Sequence, residues 1–299
     1  MKNDHRSQQF NAYNTARARI INDPNVQINL EKLLIDKLYN LITENLDEIK
    51  ADYNESSYLY PFWQNYPPDD RGRSPIGDQV PWIEVGEHAI GAKLSSLLRR
   101  CFDIKDTGLP TGSDQRFVVS SPGIREATRE LTDSAWLFID IKSVGPRDDF
   151  PHTVMSPNQI SGNGEWLMVA DGVTNKALTA RGSRSSHPFH ATLPPLYVLS
   201  SGKVTPLVTI ALKPVYTMLT GTAGDRNEGQ PLTRIDLACV PNGLLLTERP
   251  GYLVTNPGLL YPGKDAKTKN DQKLRARVAF SELTSIASWR VRSIHVAYP

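Results

Sequence analysis

Residues 136–149 read WLFIDIKSVGPRDD, an apolar run of aromatic and branched side chains into which Asp140 and Lys142 are set. A strand alternates its side chains between two faces with period 2, so Leu137, Ile139 and Ile141 point one way and Phe138, Asp140 and Lys142 the other. Large apolar groups on both faces are the mark of a strand covered on both sides. A carboxylate and an ammonium in such a strand are costly unless they pair or serve something nearby, such as a metal ion.

Acid-x-Lys is a cheap pattern, expected by chance about one and a half times in a chain of this composition. It occurs five times: Glu48–Lys50, Asp103–Lys105, Asp140–Lys142, Asp265–Lys267 and Asp271–Lys273. The first belongs to the polar side of an amphipathic helix, the last two to a polar loop, and Asp103 follows a helix without an apolar strand around it. Only Asp140 and Lys142 stand where charge needs a reason. Two further acids can join them. Over 86–101 the spacing predicts a helix whose apolar stripe (Ile90, Leu94, Leu98, Cys101) also holds Glu87; alone, Glu87 reads as a carboxylate favoured at its own helix N-terminus. Asp114, in TGSDQR (111–116), stands at the entrance of a strand predicted over 116–120 and alone reads as a turn former. Taken together, Glu87, Asp114, Asp140 and Lys142 make a candidate divalent-metal site, since hard Mg²⁺ takes carboxylate, carbonyl and water oxygens at about 2.0–2.1 Å. A lysine beside the ion could orient or deprotonate an attacking water and balance charge developing at phosphorus.

The chain around these residues has 299 residues, 39% apolar and 22% charged, ordinary for a globular protein with a sizeable core. No apolar run approaches a membrane span, and MKNDHRSQQF lacks the apolar region of a signal peptide, so the sequence reads as cytoplasmic. Cys101 and Cys239 form no zinc or disulfide pattern and are expected to be buried thiols; His187 and His190 are expected to be structural or superficial. The net charge of +2 is unevenly spread: residues 28–55 carry seven acids against three lysines, whereas residues 250–299 carry eight bases against three acids. A basic end permits a polyanion partner without requiring one.

Apolar residues from Leu30 to Ile49 recur at helical spacing and predict one long helix over 28–50, with its acids on a solvated face. An aromatic, Pro-rich loop carrying Arg71 and Arg73 follows, and Ser121-Pro122 should open a helix before the strand of the quoted stretch. Farther on the texture is mostly β. Strands are predicted at 196–199 and 207–212, at 235–240 and 244–247 as a hairpin around Pro241-Asn242-Gly243, at 274–280 and at 289–298. Arg275 and Arg277 share one face of the 274–280 strand, with Leu274, Ala276, Val278 and Phe280 on the other. The fold class is α/β, a mixed central sheet flanked by helices, read as one unit.

An early strand Asp followed by Asp-x-Lys on the next strand resembles the PD-(D/E)XK nucleases. More specifically, PPDDRGR (67–73), GDQVPWIEVGE (77–87), GLPTGSDQR (108–116), IDIKSVGPRD (139–148), SPNQISGNGEW (156–166) and PGKDAKTK (262–269) resemble, in the same order and over nearly the whole chain, stretches of the BglI-like family of type II restriction endonucleases. The resemblance implies a restriction-endonuclease core with added β-rich recognition elements, in a single domain spanning 1–299, with a catalytic core at about 80–215 and recognition elements mainly at 145–150 and 260–280. It implies a Mg²⁺-dependent homodimer that cuts both strands of double-stranded DNA at an interrupted GC-rich palindrome. The half-sites would be GCC and GGC, the products would carry 5′-phosphates and 3′ overhangs, and a cognate methyltransferase would act on the same site. Carried over, Asp114, Asp140 and the carbonyl of Ile141 would hold metal, Lys142 would position water, and Glu87 would be a further active-site acid.

Guanine is read by two donors aimed at O6 and N7, which suits arginine, and cytosine N4 by an acceptor such as aspartate. Arg275 and Arg277 therefore suit adjacent guanines, though an exposed strand face or phosphate contacts would use them equally. Asp148, Lys264 and Asp265 resemble base-reading positions, and Arg73 is a further candidate DNA contact. Three other readings stay open on the residues alone: a structure-selective repair nuclease or junction resolvase, a DNA-binding protein without catalysis, and a structural ion pair between Asp140 and Lys142.

Overall fold

The computed structural model describes residues 2–58, 86–106, 112–170, 172–220, 227–263 and 274–297. The quoted stretch supplies its central strand. Ten strands matter for the site: β1 (Asp103–Asp106), β2 (Gln115–Ser120), β3 (Ser134–Ile141), β4 (His152–Met155), β5 (Leu196–Val198), β6 (Val204–Tyr216), β7 (Leu232–Val240), β8 (Leu260–Pro262), β9 (Ala276–Ala279) and β10 (Val291–His295). Among the described residues, β1-β2-β3-β6-β7-β10 form a mixed sheet, extended by β5 against the start of β6. Only β3 and β6 run parallel, from Trp136 opposite Leu207 to Ile141 opposite Leu212. All eight positions of β3 are buried.

Both faces of β3 are covered, as its composition requires. Leu137, Ile139 and Ile141 pack into a cluster with Leu34 and Leu38 of α2 (Asn25–Glu44), Ile49 and Tyr53 of α3 (Leu46–Tyr58), and Leu94 and Leu97 of α4 (Gly91–Leu98). Trp136 and Phe138 face the other way, against Leu193 and Leu207. On that second side Ala211 and Ala238 of the central sheet meet Met155, Ala276 and Val278 of a small antiparallel sheet, β8-β9-β4. Each fully buried Leu, Ile or Phe stabilises the fold by about 1.5–3 kcal/mol, so the position of β3 between two clusters is strongly specified. A short helix α5 (Pro122–Ala127) joins β2 to β3; Ser121 caps it, accepting a hydrogen bond from the Ile124 amide at 3.3 Å, with proline at the first helical position.

Several elements differ from the sequence reading. The long helix of 28–50 is two helices, broken at Asn45, whose side-chain amide donates to the Leu41 carbonyl at 2.8 Å. Another helix, α1 (Lys2–Asn22), precedes them; its sequence is polar, and only a few positions such as Tyr13, Ala16 and Ile20 are buried. Glu31 is not solvated but completely buried. The segment after β7 is a helix, α6 (Gly243–Thr247), rather than a hairpin strand, because the Asn242 side chain caps it by accepting from the Leu244 amide at 3.0 Å. β9 stops at Ala279 where α7 (Phe280–Ile286) begins, and β10 starts only at Val291, after a 3-10 turn. Cys239 is buried as expected, but Cys101 is exposed. His187 lies in a two-stranded ribbon, Leu178–Arg181 against Ser186–Phe189. Among the described residues no helix is long and apolar enough to cross a membrane.

Candidate active site

β2 and β3 pair antiparallel with Gln115 opposite Ile139, and one further step of that register sets Asp114 across from Asp140. The Asp114 carboxylate accepts a hydrogen bond from the Ile141 amide at 2.6 Å. Lys142 lies just past the strand end, its backbone N–H donating to Leu212 O at 2.8 Å and its ammonium to Asp140 Oδ1 at 2.9 Å. Asp140 is completely buried, whereas the Lys142 side chain is 35% exposed. The carboxylate thus sits inside the protein while the lysine leads out to solvent. That geometry admits a structural ion pair, but such a pair would not need a second carboxylate at the facing position.

Glu87 belongs to a π-turn, Gly86–Ile90, that leads straight into α4. This turn lies along the end of β3. A Cβ on Gly86 would fall 1.6 Å from Ser143 Oγ, and one on Gly91 would fall 2.7 Å from Gln115 Nε2 and 3.4 Å from Ile141 Cδ1. With no Cβ at Gly86 and at Gly91 just past the turn, the backbone carrying Glu87 approaches Ser143 and Ile141, the residues on either side of Lys142. The side chain of Glu87 is outside the described residues.

One participant escaped the sequence reading. Gln159 is buried and its amide donates to Asp140 Oδ1 and, at 2.8 Å, to Gly112 O, while its own oxygen accepts from the Ser156 amide at 2.7 Å. The spacing Ser156-x-x-Gln159 is a legible capping-box signal; the bond to Asp140 leaves no local trace.

Lys142 opens on a cavity of about 450 Å³ that also reaches Asp148, His152, Lys213, Arg275 and Arg277. Lys142 and the candidate base-reading residues Asp148, Arg275 and Arg277 therefore share one concavity, whose charged side chains are mostly basic. β9 begins only at Ala276, later than the strand predicted from 274, with Arg275 immediately before it and Arg277 within it; exposure still alternates, Arg275 exposed and Arg277 partly exposed while Ala276 and Val278 are buried. Arg277 donates to Pro262 O at 2.9 Å and lies 5.8 Å above the Tyr261 ring. Asp148 is on an exposed turn, closed by its own amide bonding to Gly145 O at 3.0 Å. The next residue anchors that turn. Asp149 accepts from Lys213 of β6 at 2.7 Å and from Arg234 of β7 at 2.7 and 2.8 Å, and Lys213 also donates to Phe150 O at 2.6 Å. Burial alone would raise the Asp149 carboxyl, but the hydrogen bonds from Lys213 and Arg234 outweigh it and hold its pKa below the ordinary range. Arg73, Lys264 and Asp265 lie outside the described residues.

The donor set fits a hard divalent cation. The carboxylates of Asp114, just before β2, and Asp140, across from it in the extended register, together with a backbone carbonyl such as that of Ile141, are oxygen ligands of the kind Mg²⁺ takes. Among the described residues no third His, Cys, Asp or Glu joins them.

Comparison with known proteins adds four findings. A family model described as restriction endonuclease BglI matches residues 8–294. The type II restriction enzyme BglI of Bacillus subtilis is 47% identical over 290 residues, covering 96% of each sequence. The crystal structure of the restriction endonuclease BglI bound to its DNA recognition sequence superposes with a TM-score of 0.89 at 45% identity, over 99% of both chains. A tetrameric restriction endonuclease, SfiI, bound to cognate DNA, shares the fold at a TM-score of 0.59 and 14% identity, over 89% of this chain and 83% of that one.

Proposed function

The chain belongs to the restriction endonuclease BglI family and is a type II site-specific deoxyribonuclease, and from that premise we propose that it cuts double-stranded DNA with Mg²⁺ at an interrupted GC-rich palindrome. The half-sites are GCC and GGC, and the products carry 5′-phosphates and 3′ overhangs. A two-fold symmetric site calls for two copies of the chain, each reading one half, and a methyltransferase of the same specificity protects the host. What carries this reading is the shared cavity: Lys142, beside the buried Asp140, opens on the same hollow as Asp148, Arg275 and Arg277.

Asp114, Asp140 and the Ile141 carbonyl would hold the cation, with Glu87 as a further acid. When bound, the cation supplies Lewis-acid polarisation of a phosphoryl oxygen. Lys142, held by Asp140, directs its remaining N–H groups toward the cavity, where they orient the attacking water and offset charge growing on the phosphoryl oxygens. Asp140 fixes the lysine ammonium in place through that hydrogen bond. Arg275 and Arg277 read guanines, Asp148 a cytosine amino group, and Lys264, Asp265 and Arg73 supply further DNA contacts.

The test is cleavage of plasmid DNA with Mg²⁺ by the wild type and by Asp140→Ala. Discrete fragments from the wild type, with a rate at least 1,000-fold lower in the variant, are expected. A smear, or unaltered cutting by the variant, contradicts the proposal.

A further inference from the structure

The geometry points to Gln159 as a positioning residue that holds the two aspartates of the site in fixed relation to each other. The inference rests on the reading of Asp114 and Asp140 as the metal-holding pair. Gln159 ends the turn after β4 and is 4% exposed. Its side-chain oxygen accepts from the Ser156 amide at 2.7 Å. Its single nitrogen serves two partners, Gly112 O at 2.8 Å and Asp140 Oδ1. Gly112 is two residues before Asp114. Its amide donates to Asn158 O at 3.1 Å, and a Cβ there would fall 2.3 Å from Asn158 Oδ1. The lead-in to Asp114 is therefore in backbone contact with the turn that ends in Gln159. One amide group spans the segment that presents Asp114 and the carboxylate of Asp140.

The chemistry calls for glutamine. A capping box accepts Glu or Gln equally, because it uses only the side-chain oxygen. The bonds to Gly112 and Asp140 need a neutral donor. With Lys142 and Gln159 both donating to Oδ1, the plane of the Asp140 carboxylate is fixed, and groups that orient metal-ligating side chains typically govern affinity by about 10–100-fold. Gln159→Glu would keep the cap and replace the donor by a carboxylate facing Asp140. Gln159→Met would fill the same space with no donor at all.

Mn²⁺, titrated into the full-length wild type, Gln159→Glu, Gln159→Met and Asp140→Ala and followed by electron paramagnetic resonance, tests the assignment. Both Gln159 variants should bind Mn²⁺ about 10–100-fold more weakly than the wild type, while metal-free binding to a duplex that the wild type cuts stays within about threefold. In the unsubstituted protein, saturating Mg²⁺ should shift the side-chain amide resonance of Gln159. Mn²⁺ affinity within twofold of wild type in both folded Gln159 variants, or an unmoved amide resonance, overturns the proposal provided that Asp140→Ala has lost the ion. If Asp140→Ala binds Mn²⁺ as the wild type does, the metal-holding reading itself fails, and the positioning role with it.

Discussion

His152 shows how a single side chain reports the character of the cavity it lines. Its ring stacks on Phe150 with centroids 5.6 Å apart at 5°, and its Nδ1 lies 2.9 Å from the Tyr261 hydroxyl. Burial, then the charges of Arg277 and Lys213, push its pKa down from 6.5 to about 4. A folded value below the unfolded one means that the neutral ring's contribution to stability is complete above about pH 6.5 and is lost as pH falls toward 4. The carboxylates with lowered values, Asp36, Asp133, Asp149 and Glu165, begin to lose theirs only as pH falls below their ordinary values of 3.8 to 4.5, so most of the histidine's window lies above theirs. The expected outcome is a His152 ring titration by nuclear magnetic resonance centred at about 4, with a thermal midpoint that falls between pH 6.5 and 4 more steeply in the wild type than in His152→Phe. A ring that titrates at 6.5 would mean that it is neither buried nor set beside the charges of Arg277 and Lys213.

At the scale of elements, the turn that carries Asp148 is fastened to the sheet by charge rather than by packing. Lys213 is 2% exposed and its counter-ion is Asp149, which also receives Arg234. Removing one partner of a buried pair costs about 3–5 kcal/mol, because the other charge is left behind; Lys213 keeps Phe150 O, which puts Asp149→Ala toward the lower end. Asp149→Asn should cost less and still loosen the turn, so that cleavage discriminates less between the cognate duplex and one altered at the base facing Asp148. Denaturant unfolding and paired cleavage rates check the two halves of this expectation. The clamp was not legible in the sequence, since its partners lie 64 and 85 positions apart. By contrast, β3 declared itself through alternation, and Asp140 and Lys142 through their misfit within it. Asp114 was legible only as a companion to them. The π-turn at Gly86 was not, because helical spacing assigns residues to a stripe but does not record where the backbone must dip to meet Ser143. Hairpin and cap compete for the same Pro-Asn-Gly signal after β7, and there the Asn242 cap prevailed.

For the whole molecule, the decisive contact joins residues near opposite ends of the chain. Glu31 of α2, which spacing assigns to a polar face, is wholly buried and pairs with the wholly buried Arg290 at 2.8 Å. It also accepts from the Asn242 amide at 2.8 Å and from Gln27 at 3.2 Å, while Arg290 stacks 4.5 Å from the Trp289 ring and donates to Cys239 O at 3.3 Å. A helical wheel gives such a residue the look of surface, because the partner that neutralises it is more than 250 positions away. Burial raises the Glu31 carboxyl, against the pull of Arg290 and the hydrogen bonds from Asn242 and Gln27. The pair therefore contributes to stability as a unit and harms it when halved. Arg290→Met should cost about 3–5 kcal/mol in denaturant unfolding, since it strands a carboxylate in the core. Adding Glu31→Leu should return a large part of that loss, a coupling of more than about 1 kcal/mol in a double-mutant cycle. Strictly additive losses would show that the two ends are held together by packing alone, with the charges bystanders.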